Sequence, residues 1–151
     1  LAVTDYTGEA EFFVVGNLAG TNSLHGSAGA IPEKVACVRL DDFATQQQID
    51  RIAFVKSDTE GYDMNVLLGA DRLLSEGRIE AWQFEYNHRW VFTRHFLKDV
   101  FDYISDKPYR IGKLFGNGIE TYDVWHPELE RFFEDNYVRG RALMPATSLY
   151  R

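Results

Sequence analysis

The sequence predicts an α/β domain whose sheet is mostly parallel and closes with an antiparallel hairpin. Three features carry this. An apolar run at Ile52 to Ser57 passes through an acidic turn into Val66, Leu67, Ala70, Leu73 and Leu74, spaced as the buried stripe of a helix. A second strand-like run, Ile79 to Glu85, leads into another amphipathic stretch. Two further strand-like runs then flank Gly116-Asn117-Gly118, a hairpin signal. Strands alternating with helices build parallel sheets.

Taken in order, Glu9 to Val15 alternates as a strand and is expected to pair with the segment ending near Val3, the turn lying at Asp5 to Gly8. Val35 to Leu40 reads as a strand, and Asp41 is expected to cap a short helix through Gln48. The central strand follows, then a crossover helix from Tyr62 to Ser75, closed by Gly77. After the Ile79 to Glu85 strand, Phe92, Phe96, Leu97, Val100, Phe101 and Ile104 mark a helix that Pro108 stops. Tyr109 to Phe115 and Glu120 to Trp125 form the hairpin. Pro127 suits the first turn of a last helix carrying Leu129, Phe132, Phe133 and Tyr137. Residues 1–138 are expected to form one domain, and 139–151 a tail.

Composition narrows the function classes. With 45% hydrophobic and 15% aromatic residues, the chain has the material for a packed core. A net charge of −7 argues against a nucleic acid or an anionic membrane as the main partner. No run approaches the ~18 apolar residues that span a bilayer. The single cysteine, Cys37, forms no internal disulfide and fits a reducing, cytoplasmic setting.

The chemistry concentrates at strand ends. Parallel strands put Asp58 and Glu85 on the same edge of the sheet, where α/β folds keep their ligands. Glu60 and Lys56 flank the first corner, and Asn87, His88 and Trp90 follow the second. Each has a plainer reading: an Asx turn for Asp58, helix capping for Glu60, an ion pair for Lys56, core packing for Trp90 and capping for His88. Asp58, Glu60, Glu85 and His88 also offer oxygen and imidazole ligands of the kind magnesium, manganese or zinc accept, although the favoured reading assigns no metal. The glycines between Gly16 and Ala30 follow no hydrophobic strand and make no dinucleotide fingerprint; this stretch is either a lid or a connection.

Phe54-Val55-Lys56-Ser57-Asp58-Thr59-Glu60-Gly61-Tyr62 and the residues after it resemble the FkbM-type family of S-adenosylmethionine-dependent methyltransferases. That family shows F-I/V-K-x-D-x-E-G followed by Y-E-x-x-V-L-x-G-A. Lys56, Asp58, Glu60, Gly61, Tyr62, Val66, Leu67, Gly69 and Ala70 match, while Asp63 stands where glutamate is usual. Ala2 to Glu9 is similar to the family's A-L-S-D-x-x-G-E turn, Val38 to Phe43 to its T-L-D-D-F, and Gln83 to Asn87 to its next core strand, so the resemblance spans residues 1 to 125.

The resemblance implies the C-terminal part of a class I, Rossmann-like methyltransferase sheet. S-adenosylmethionine is then the implied cofactor, with its main site expected in a glycine-rich N-terminal half that this sequence does not show. Asp58 is the expected general base or acceptor-orienting group and a cofactor contact, and Glu60 its catalytic neighbour. Glu85, Asn87, His88 and Trp90 are expected to hold a hydroxylated small molecule, sugar or polyketide-like, by hydrogen bonding and ring stacking. Two alternatives stay open: a metal-dependent glycosyltransferase-like enzyme, and a non-catalytic binding module. A sheet edge left open where further strands belong predicts homo-oligomers.

Overall fold

The computed structural model describes residues 1–15, 22–24, 26, 29–133 and 135–140. Most of the expected lid at Gly16 to Ala30, with His25, lies outside the described residues, as do residues 141–151 of the expected tail.

Two sheets form. In the smaller, β1 (Ala2–Val3), β2 (Gly8–Val14) and β3 (Ile31–Val38) take the order β1-β3-β2. The expected pairing of the Val3 segment with β2 does not occur, because β3 lies between them, parallel to β1 and antiparallel to β2. The Thr4 amide then donates to the Val38 carbonyl at 3.0 Å, a partner from β3 where a simple hairpin would have used β2.

The larger sheet contains β4 (Ile52–Ser57), β5 (Ile79–Tyr86), β6 (Arg110–Phe115), β7 (Gly118–Tyr122) and β8 (Asp135–Gly140) in the order β4-β5-β8-β6-β7. Only β4 and β5 are parallel; the other neighbours are antiparallel. The expectation of a mostly parallel sheet is therefore corrected, and the cause is β8. The helix predicted after Pro127 is a single 3-10 turn, Pro127–Leu129, beyond which the chain extends and threads back between β5 and β6. Tyr137, assigned to that helix, is a buried strand residue stacked on Phe84. Strand β8 also runs through Arg139, past the expected domain boundary; its fully buried guanidinium lies 3.8 Å over the Tyr109 ring, and burial lowers its pKa to about 10.

The helices are shorter than their sequence patterns. The crossover stripe divides into α2 (Asp63–Leu68) and α3 (Asp71–Ser75) at Gly69, where a Cβ would sit 2.1 Å from the Thr4 carbonyl oxygen. Asp41 belongs to α1 (Leu40–Gln46), which starts from Arg39 with no side-chain cap. Its carboxylate instead accepts the Arg72 and Leu73 amides, both at 3.0 Å, and so caps α3. The second amphipathic stretch divides into α4 (Trp90–Thr93) and α5 (Leu97–Ile104), with Arg94 left-handed between them at φ 59°. Gly77 does close α3 with a positive φ of 66°.

The core occupies one face of the larger sheet. Alternation places Trp82, Phe84, Tyr86, Tyr137 and Ile111 there, against Leu67, Leu73, Leu74, Leu97, Val100 and Ile104 of α2, α3 and α5. Each such side chain contributes about 1.5–3 kcal/mol by leaving water. The opposite face is more open: Phe54 is 54% exposed and Lys56 is exposed. Among the described residues, no helix is long and apolar enough to cross a membrane.

Candidate active site

The parallel pairing of β4 and β5 places both carboxyl ends at one edge of the sheet, with Ser57 opposite Phe84, so that Asp58 and Glu85 leave the sheet side by side. Lys56 Nζ donates to Asp58 Oδ2 at 2.8 Å, and the two side chains are about half exposed, at 51% and 46%. The hydrogen bond to Asp58 is the main reason the Lys56 ammonium is held above its usual pKa. The negative charges of Asp58, Glu85 and Asp63 add to it, against a burial effect of opposite sign. Glu85 is therefore electrostatically part of the first corner.

A cleft of about 490 Å³ opens between the small sheet and the end of β4. Val3, Phe12, Val55 and Tyr62 supply apolar wall, and Lys56 and Asp58 supply charge. Glu85, Asn87, His88 and Trp90 do not line it. The expectation that both corners open into one cleft is corrected to this extent: they share an edge and a charge network, while Asp58 faces the cleft and Glu85 sits beside it.

Glu60 serves another purpose. Its backbone is left-handed at φ 57°, as is that of Gly61 at φ 99°. Its Oε2 accepts from Arg89 Nε at 2.9 Å, and the Thr93 hydroxyl donates to the Gly61 carbonyl at 2.9 Å. Only glycine fits at position 61, because a Cβ would meet the Arg89 carbonyl oxygen at 2.7 Å. The turn after β4 is thus locked to the turn after β5. Glu60 does not line the cleft, and its pairing with Arg89 gives it a structural part in joining the two turns.

At the second corner, Asn87 is buried and builds the turn. Its Nδ2 donates to Glu85 Oε2 at 2.7 Å and its Oδ1 accepts the Arg89 amide at 2.9 Å, an Asx turn. Trp90 is fully buried, donates to the Glu85 carbonyl at 2.9 Å and packs edge-on to Tyr86, so its ring cannot stack on an acceptor. That expectation is corrected: the indole sits under the loop because Tyr86 and Phe84 form an apolar floor there. His88 is exposed, and Glu85 is half-buried. Of the four residues expected to hold an acceptor, Glu85 and His88 are the accessible ones. No group of three His, Cys, Asp or Glu side chains among the described residues converges as a metal site.

Asp63 went unrecognised in the sequence as anything but a variant motif position. It is fully buried, and its Oδ2 accepts from both the amide and the hydroxyl of Thr59, at 3.3 and 2.9 Å. Burial pushes its pKa up, with the Asp58 charge adding, while Ser57 and Thr59 pull it down. Arg89 carried no sequence signal at all, since its partner is set by how two loops meet.

The arrangement offers a half-exposed carboxylate, held by an ammonium, on an apolar-walled cleft whose size is typical of small-molecule sites. Apolar wall for a flat ring and a carboxylate for hydroxyls are what a nucleoside needs, so the residues present fit part of an S-adenosyl group. In comparisons with known proteins, the model of the methyltransferase FkbM domain matches residues 1–111, ending at the start of β6. No curated protein and no solved structure matches the chain.

Proposed function

Since the chain belongs to the methyltransferase FkbM family, we propose that it contributes to S-adenosylmethionine-dependent O-methylation of a hydroxylated small molecule, a sugar or a polyketide-like compound. The observation that carries this reading is Asp58, paired with Lys56 at the end of β4 and facing the cleft. The cofactor, when bound, supplies an electrophilic methyl group on a sulfonium. Val3, Phe12, Val55 and Tyr62 would hold part of that group in the cleft, and Asp58 would take the proton of the acceptor hydroxyl.

Lys56 orients the Asp58 carboxylate through its 2.8 Å hydrogen bond. Glu85 accepts from further acceptor hydroxyls, with Asn87 fixing its carboxylate from behind. The apolar walls limit water at the reacting centre. A cytoplasmic setting suits the buried free thiol of Cys37. The negative net charge supports small-molecule partners over nucleic acids or anionic membranes. The metal-dependent alternative needs converging ligands, and no such group of three is found among the described residues.

The test is calorimetric titration of S-adenosylhomocysteine into the chain, followed by transfer from methyl-labelled S-adenosylmethionine to a panel of sugars and polyols. Binding together with labelling that Asp58→Asn lowers by about 100-fold or more supports the assignment. Labelling at full rate in Asp58→Asn, or stabilisation by a nucleotide diphosphate with a divalent metal in place of S-adenosylhomocysteine binding, overturns it.

A further inference from the structure

The two residues flanking Asp58 line the same cleft, and both are held by side-chain hydrogen bonds. Ser57 is buried at the end of β4, and its Oγ accepts from Trp82 Nε1 at 2.9 Å. Thr59 donates twice to Asp63 Oδ2. The Ser57 hydroxyl, already accepting from the indole, also lies where it stabilises the charged form of Asp63. With residues 57 and 59 both held, the backbone that carries Asp58 between them is fixed at the cleft. Asp58 is accordingly half exposed and lines the cleft.

This anchoring is costly. Asp63 has no contact with water, and its Oδ1 has no hydrogen-bond partner. A buried, half-satisfied carboxyl loses free energy that an exposed Asp at the same helix start would not. The first turn of α2 gains as much from an exposed carboxylate, so helix stability does not account for the burial. What the burial does achieve is a fixed corner.

We propose that Asp63 is a positioning residue of the active site, tying Thr59 and the Ser57 strand end on either side of Asp58 so that the Asp58 carboxylate is presented to the acceptor. The role as a part of catalysis rests on the methyl-transfer reading above; the anchoring itself does not. The charged groups that bear on the Asp63 carboxyl are Asp58 and Lys56, both of the same corner.

The experiment compares wild type with Asp63→Ala, Asp63→Asn and Thr59→Val, reading amide hydrogen exchange at Thr59 and carbodiimide labelling of Asp58. Loss of the anchor in Asp63→Ala should speed Thr59 exchange by about tenfold or more and change Asp58 labelling, while β5 amides stay protected. Asp63→Asn, which keeps an acceptor oxygen, should restore both, and should abolish the pH dependence of the Thr59 amide chemical shift seen in wild type. Should Asp63→Ala lose β5 protection and so fail to fold, Thr59→Val decides, with Thr59 exchange expected to rise by roughly fivefold. Unchanged Thr59 exchange and Asp58 labelling in a folded Asp63→Ala overturns the proposal. So does unchanged exchange in Thr59→Val. None of these readouts needs a cofactor, so absent S-adenosylhomocysteine binding removes the methyl-transfer reading and leaves the anchor to be judged by exchange.

Discussion

Glu60 Oε2 and Arg89 Nε meet at 2.9 Å, and through them the turn that follows β4 is fastened to the turn that follows β5. Both side chains are largely shielded, at 18% and 26% exposure, so the pair is screened less than a surface ion pair. The corner bearing Asp58 and the corner bearing Glu85 are therefore tied by this ion pair.

Breaking this fastening should cost stability at both corners. Glu60→Gln and Arg89→Ala are each expected to lower unfolding free energy by about 1–2 kcal/mol, with a coupling of about 1 kcal/mol in the double-mutant cycle. Urea unfolding of the four proteins measures it; additive single effects would show that the two residues do not interact.

Gly69→Ala should be more damaging than a helix-forming substitution has any right to be. Alanine favours helix by about 1 kcal/mol over glycine. Its methyl would lie 2.1 Å from the Thr4 carbonyl oxygen, a backbone atom that cannot swing aside. Overpacking of this kind costs about 1–3 kcal/mol or more, so the net sign is destabilising. A melting temperature equal to or above wild type would contradict the close approach of β1 to α2.

Asp63 should make stability fall as pH rises. Its pKa is raised above 3.8 in the folded chain, so the native state holds a proton that the unfolded chain releases. The contribution is therefore fully present below pH 3.8 and is lost as pH climbs through the folded value. Wild type should lose stability relative to Asp63→Asn across that interval, and chemical denaturation at a series of pH values reads the difference. Parallel curves for the two proteins would mean that the carboxyl is not desolvated.

The outer edge of β4 has no strand partner among the described residues, and Phe54 on that strand is 54% exposed. Unpaired edges with apolar side chains pair with other chains. Self-association that rises with concentration and is suppressed by Phe54→Lys is expected in light scattering. A monodisperse wild-type monomer at high concentration would count against it.

Local chemistry was readable without coordinates. Ile52–Ser57 and the hairpin around Gly116 to Gly118 lie where their residues put them, because β-branched and aromatic runs and turn glycines act over a few positions. The stripe from Val66 to Leu74 is likewise buried as its period requires, and the motif around Asp58 pointed to the family that the match over residues 1–111 shows. The pattern after Pro127 misled because Leu129, Phe132 and Tyr137 satisfy a helical period by chance. In the fold, Tyr137 is buried by strand alternation beside Phe84.

The sequence by itself determined the α/β class, the central strand with its acidic turn, and the family. Tertiary structure alone decided that β8 enters the sheet antiparallel, that Trp90 and Asn87 turn inward, that Glu60 is spent on Arg89, and that Asp63 is buried against Thr59. Each of these depends on which distant or neighbouring surface excludes water from a side chain. Periodicity and turn propensity describe a segment's own preferences, whereas burial and charge pairing are set by the surface it meets.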